Sequence, residues 1–187
     1  MADKFRILGV AGSLRKESYN RSALRAATKL VPEGAEIEIF ELDGIPGFNQ
    51  DEEQNPPERV AELKRKVREA DAILFVTPEY NYSIPGVLKN AIDWASRPYG
   101  DSAWEGKPAA IMGASISSIA TARAQYHLRQ SMVFLNMFPI NRPEVMIGNC
   151  MNSFDDQGNL TDDTTKELIG QLLHNLVDWA KQIASKK

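Results

Sequence analysis

Three short stretches hold residue types at spacings that could do chemistry. The first, Gly12-Ser-Leu-Arg-Lys-Glu-Ser-Tyr-Asn20, follows a short apolar run and precedes a helical pattern. Ser13, Ser18 and Asn20 supply short polar side chains there, and Arg15 supplies a planar cationic fork. A helix N-terminus adds unpaired N–H groups and the positive end of a dipole. Together they suit one terminal phosphate. The stretch lacks the second glycine and the Gly-Lys-Ser/Thr ending of a P-loop, and Gly9 and Gly12 are the only glycines nearby for a dinucleotide turn. A monophosphate therefore fits better than a diphosphate. The same residues allow a second reading, in which Ser18 and Asn20 only cap the helix.

The second stretch is Pro78-Glu-Tyr-Asn-Tyr-Ser-Ile84, where another apolar run ends in two aromatics, an amide, a carboxylate and a hydroxyl. A planar ring system such as the isoalloxazine of FMN needs a face to lie on and donors for its polar edge, and this loop offers both. The other reading is that Tyr80 and Tyr82 pack in a surface cluster. The third stretch, Ala114-Ser-Ile-Ser-Ser-Ile-Ala-Thr121, again follows an apolar run.

Alternating elements must position these loops. Residues 6–11, 72–77 and 109–114 read as buried strands, 36–41 as a half-buried or edge strand and 144–147 as a weak fifth. Helices are expected where Ala23, Leu24, Ala27, Leu30 and Val31 recur, where Val60, Leu63 and Val67 recur, and over 83–95, 121–137 and 162–183. Pro32 to Gly34 ends the first helix, and Pro85 falls in the first turn of the third. Residues 42–57 form one long irregular connection, a kind that is often functional. Five strands alternating with helices predict an α/β fold, a parallel sheet covered on both faces with right-handed crossovers. Ligands in such sheets bind beyond the carboxyl ends of the strands, near the switch point of strand order. All three stretches fall there.

The bulk composition narrows the class. The 187 residues suit one domain, 1–187; 43 % are apolar and 25 % charged, which argues against disorder. A net charge of -3 carries no basic footprint for nucleic acid. One cysteine, Cys150, permits no disulfide within the chain, and with His127 and His174 as the only histidines a zinc site is not expected. Residues 1–12 do not read as a signal peptide and no apolar run reaches a membrane span, so the expected location is cytoplasmic.

The stretches Gly12-Ser-Leu-Arg-Lys-Glu-Ser-Tyr-Asn-Arg21 and Pro78-Glu-Tyr-Asn-Tyr-Ser-Ile-Pro-Gly-Val-Leu-Lys-Asn-Ala-Ile-Asp-Trp94 resemble the signatures of the NADPH-dependent FMN reductase family, its bacterial quinone and chromate reductase branch in particular. The resemblance runs over nearly the whole chain, including Thr121-Ala-Arg-Ala-Gln-Tyr-His-Leu-Arg129 and Arg142-Pro-Glu-Val-Met146. It implies a flavodoxin-like, doubly wound, five-stranded parallel sheet of order 2-1-3-4-5. It also implies non-covalent FMN, with NADPH or NADH as electron donor. By motif match, Ser13, Arg15, Ser18 and Asn20 would hold the FMN phosphate. Pro78, Glu79, Tyr80, Asn81, Tyr82 and Ser83 would lie along the ribityl chain and ring, and Ser115 would approach the ring. The implied reaction is ping-pong: reduced nicotinamide delivers hydride to the flavin and leaves, then a small acceptor such as a quinone, chromate or an azo compound enters the same pocket. Dimers pairing into tetramers are implied, with Arg123, Tyr126 and Glu144 near subunit contacts. The third stretch departs from the family, which usually carries glycine after the serine where this chain has Ile116 and Ile119.

Several residues keep two readings. Arg123, Tyr126 and Glu144 form an inter-subunit polar cluster or a solvated helix face. His127 is an ordinary exposed residue without a visible partner, or a proton donor. Glu79 is positional or a general base, and Cys150 is inert or catalytic. Lys64-Arg-Lys66 reads as the wet face of an amphipathic helix. Trp94 and Trp104 pack in the core or at an interface. Two rival functions remain: a flavodoxin-like electron carrier with no NAD(P)H activity, and a sensor that kept the fold without its ligand.

Overall fold

The computed structural model describes residues 4–185. Continuous apolar runs become central strands, since both faces of a parallel sheet are covered. β1 (Phe5–Ala11) is buried over its last five residues, and β3 (Ala72–Val76) and β4 (Pro108–Ala114) are buried throughout. β2 (Ala35–Phe40) alternates and exposes its glutamates, as an edge strand does. All pairings are parallel, in the order β2-β1-β3-β4-β5, with β5 (Phe138–Pro139) at the far edge. β6 (Val145–Ile147) also pairs with β4, Met112 lying opposite Val145. The expected fifth strand is therefore the second part of a divided edge. Prolines lack a ladder donor, and Pro139 and Pro143 stand where a continuous strand would run.

Five helices among the described residues cover the sheet. α1 (Tyr19–Leu30) and α5 (Asp163–Ala184) lie on one face, where Ala23, Leu24, Ile169, Leu172 and Leu173 pack with Ile7, Leu74 and Met112. α2 (Glu58–Glu69), α3 (Gly86–Ala95) and α4 (Ala122–Phe134) supply the other face, where Leu63, Val67, Leu88, Ile92 and Leu128 pack with Leu8, Phe75 and Ile111. Neighbouring strand residues thus serve opposite cores, which is the two-residue period of a strand.

Three details differ from the sequence expectations. α3 begins at Gly86, with Pro85 as its cap rather than inside its first turn, because residues 80–83 are taken up by a tight turn. Lys64 is not on a wet face: its side chain is 7 % exposed, pairs with Asp101 at 3.0 Å and donates to the carbonyl of Arg97. Lys66 pairs with Glu38, so of the three only Arg65 stands in solvent, with Glu69. Both tryptophans belong to the core. Trp94 Nε1 donates to Pro46 O at 2.9 Å and Trp104 Nε1 to Ile92 O at 3.0 Å. Trp94 and Asn90 thereby pin the long 42–57 connection, Asn90 accepting from Phe48 N at 2.7 Å and donating to Pro46 O at 2.8 Å.

Candidate functional site

β1, β3 and β4 are neighbours, so the loops that follow them emerge side by side. Contacts join them. Gly12 N donates to Val76 O at 2.9 Å, and a Cβ on Gly12 would stand 3.4 Å from Pro78 Cδ, so the first and second loops touch. Asn20 is buried and grips the end of β4 with both ends of its amide: Nδ2 donates to Ala114 O at 2.9 Å and Oδ1 accepts from Ala114 N at 2.8 Å. Three loops separated by up to about a hundred residues of sequence become one rim.

The four residues of the first loop divide in their work. Ser18 is the cap of α1, its Oγ accepting from Asn20 N at 3.2 Å, and Asn20 fastens the helix to β4. Ser13 is buried, and its Oγ accepts from Arg15 N at 3.4 Å, which leaves its hydroxyl proton free. Arg15 is exposed and has no carboxylate partner among the described residues. The N–H groups of Leu14, Lys16 and Glu17 find no acceptor among the described residues, and the first turn of α1 carries no acidic side chain. Unpaired N–H groups, a guanidinium that lies over the Tyr19 ring, 6.0 Å from its centroid, without a carboxylate partner among the described residues, and a helix N-terminus free of carboxylates in its first turn share one loop, and an anion suits it.

The second loop is a strained turn. Tyr80 and Ser83 exchange two backbone hydrogen bonds of 3.0 Å, and the two residues between them, Asn81 and Tyr82, both have positive φ, 50° and 68°. A tyrosine in that region is uncommon, and such strain persists only where surrounding contacts over-determine it. α4 supplies those contacts. Arg123 lies over the Tyr82 ring, 3.7 Å from its centroid, and pairs with Glu79. One helical turn on, His127 Nδ1 is 3.0 Å from Ser83 Oγ. Glu79 is positional: its Oε2 accepts from Arg123 N at 3.0 Å and Ala124 N at 3.1 Å, capping a helix whose own cap residue, Thr121, makes no such bond. Tyr80 and Tyr82 present their rings to solvent at the mouth of the edge.

The third loop is braced by serines. Ser115 Oγ accepts from Ser117 N at 3.1 Å and Ser117 Oγ from Ile119 N at 3.3 Å. Ser115 N donates to Ile147 O at 2.9 Å, and Ala120 closes the loop at φ 57°.

Other sequence candidates take definite places. Tyr126 donates to Glu144 Oε1 at 3.0 Å, and that carboxylate holds the phenol above its usual range. Arg123 does not join them, since it turns to Glu79 and Tyr82 of its own chain. His127 has a partner after all, one 44 residues away in sequence. Cys150 is fully buried, and burial pushes its thiol up, away from the reactive thiolate. Sequence reasoning missed that α4 buttresses the second loop; the four-residue spacing of Arg123 and His127, which puts both on one helix face, was the available signal.

A doubly wound sheet of this order, with its loops gathered at the carboxyl edge, defines a flavodoxin-like α/β protein. A profile of the family described as NADPH-dependent FMN reductase matches residues 5–152. The chain belongs to the NADPH-dependent FMN reductase family. It is 53 % identical over 184 residues to an NAD(P)H-dependent FMN reductase of Pseudomonas aeruginosa, covering 98 % of this chain and 99 % of that one. It is 43 % identical over 182 residues to a quinone reductase of Pseudomonas putida, covering 97 % of each. Among solved structures, FerB of Paracoccus denitrificans, a flavoenzyme NAD(P)H:(acceptor) oxidoreductase, superposes with a TM-score of 0.87 at 36 % identity, covering 95 % of this chain and 97 % of that one.

Proposed function

We propose that this protein is an FMN-dependent NAD(P)H oxidoreductase that reduces quinones or similar small acceptors. The observation that carries the reading is the first loop, where Arg15, with no carboxylate partner among the described residues, and free N–H groups stand at the N-terminus of α1 beside the strained aromatic turn. The residues present fit a flavin mononucleotide: one anionic group at the first loop, a planar ring at the second. Arg15 and the hydroxyls of Ser13 and Ser18, which only accept bonds from the loop backbone and keep their protons free, would hold the phosphate with the loop N–H groups, while Asn20, expected there too, fastens the loop to β4. Pro78, Glu79, Tyr80, Asn81, Tyr82 and Ser83 would follow the ribityl chain and ring, and Ser115 would meet the ring from the third loop.

FMN, when bound, supplies the redox chemistry by taking two electrons from a reduced nicotinamide and passing them to the acceptor. The chain binds and orients; Glu79 is already committed to α4 and Arg123, so no side chain is assigned as acid or base. An edge open to solvent lets donor and acceptor use the same place in turn, a ping-pong order. Chromate and azo compounds are further acceptors within this reading. The relatives named as FMN and quinone reductases support it.

The same reading takes residues 1–187 as one FMN-binding domain, working in the cytoplasm as a homodimer or homotetramer. No helix among the described residues is long and apolar enough to cross a membrane. α4 presents Tyr126, Val133 and Phe134 to solvent at helical spacing, beside the Tyr126–Glu144 pair, which suits a second copy of the chain.

The test is a visible spectrum of the purified protein before and after anaerobic addition of NADPH or NADH. A flavin spectrum that bleaches is expected. A spectrum that persists makes the protein an electron carrier, and a protein that takes up no FMN at all removes the assignment of all three loops.

A further inference from the structure

Of eleven large apolar side chains exposed among the described residues, five stand on the three loops of the carboxyl edge: Leu14, Tyr80, Tyr82, Ile116 and Ile119. The isoleucines differ in kind from the tyrosines. They carry no polar group, yet Ile116 is 64 % and Ile119 55 % exposed. The loop holds them out. Its serine-to-backbone bonds, Ala120 N to Ser117 O at 3.0 Å and Asn149 N to Ser117 O at 3.2 Å fix the backbone, and Gly148 admits the close approach, since a Cβ there would stand 2.9 Å from Ser118 O. Apolar side chains held toward solvent on loops at the carboxyl edge of a parallel sheet mark contact with a ligand or partner.

We propose that Ile116 and Ile119 are specificity-determining residues that favour quinones carrying an apolar substituent over small hydrophilic acceptors. The proposal rests on the flavoenzyme reading above. An acceptor that reaches the edge from solvent must pass this rim. A quinone's alkyl chain or fused ring projecting beyond its reacting carbonyls would lie on the isoleucines, gaining about fourfold in affinity for each methylene taken from water. A hydrophilic oxyanion or metal cyanide gains nothing there. The redox balance is unchanged by the rim. The nicotinamide loses a hydride (two electrons and a proton), solvent supplies a second proton, and the quinone's two carbonyls become hydroxyls. The isoleucines touch no reacting atom, so their effect falls on KM rather than kcat.

The test compares the FMN-loaded parent with the double variant Ile116→Ser/Ile119→Ser at saturating NADPH or NADH, using decyl-substituted benzoquinone, unsubstituted 1,4-benzoquinone and ferricyanide as acceptors. In the variant, kcat/KM for the decyl quinone is expected to fall at least tenfold through KM. Values for the other two acceptors should stay within about twofold, and FMN content, anaerobic bleaching and the mass by light scattering should not change. The pair Ile116→Val/Ile119→Val should restore the preference. An unchanged decyl quinone value, or an equal fall for all three acceptors, overturns the proposal. So does a change in mass, which would assign the rim to a subunit contact. A parent that neither nucleotide bleaches fails earlier and differently, removing the flavoenzyme reading and the proposal with it.

Discussion

Glu79 illustrates how many contacts of the fold one side chain can hold together. Its carboxylate is 6 % exposed, accepts the first N–H groups of α4 and pairs with Arg123, which in turn lies over Tyr82. Glu79→Ala should therefore leave buried N–H groups unsatisfied and cost about 2 kcal/mol of stability, measured by urea unfolding. Glu79→Gln, which can still accept those bonds, should lose less. Arg15 is the opposite case. It has no carboxylate partner among the described residues, so Arg15→Ala should leave the unfolding midpoint unchanged. FMN affinity should drop by at least about tenfold, the scale of one charge-assisted hydrogen bond. Fluorescence titration of the apoprotein checks this, with riboflavin as control, since riboflavin lacks the phosphate and should bind parent and variant alike. Equal FMN affinity in the two proteins would remove Arg15 from the phosphate site.

At the scale of elements, the site depends on how closely β3, β4 and α4 approach. A Cβ at Gly113 would lie 2.2 Å from Thr77 O and 2.4 Å from Thr121 Oγ1. A backbone carbonyl cannot yield as a flexible side chain can. Gly113→Ala should destabilise by about 3 kcal/mol, seen as a lower thermal midpoint. A second tie joins α2 to the connection before β4, where Lys64 and Arg68 both hold Asp101. The hydrogen bond from Lys64, followed by that from Arg68, keeps the Asp101 carboxyl below its usual range. Its folded pKa lies below the unfolded one, so its contribution is present above the unfolded value and lost as pH falls through the folded value. Parent and Asp101→Asn should thus differ in urea midpoint at pH 7 and converge as the solution is taken below about pH 4. A difference that persists in acid would show that the tie is not ionic.

For the whole molecule, the exposed face of α4 is where the proposed second copy would sit. Tyr126, Val133 and Phe134 are exposed along one stripe of the helix, Val133 at 81 % and Phe134 at 79 %. If this face meets a second copy, Val133→Glu/Phe134→Glu should shift the mass in light scattering to the monomer while the far-UV spectrum stays the same. An unchanged oligomer would send the interface elsewhere.

Much of the fold was legible because its signals are local. The apolar runs of β1, β3 and β4, the alternation of β2 and the periodicity of the helices each lie within a few turns of chain, and a buried parallel sheet follows from them. The divided edge was not legible, since the two residues of β5 carry no period and only pairing with β4 makes them a strand. The loops that could hold a phosphate and a ring were readable from residue type and from their place after strands. The division of labour inside them was not. Asn20 has the same composition whether it grips a phosphate or the fold, and it is the end of β4, 94 residues on, that holds its amide. Lys64 looks solvated in any helical projection until Asp101 and the Arg97 carbonyl meet it. Residue type and short-range period therefore determined the class of chain and the edge where the three loops gather. Which side chains are free to act there was decided by contacts between distant segments, because a hydrogen-bonding group already satisfied by the fold has little left to offer a ligand.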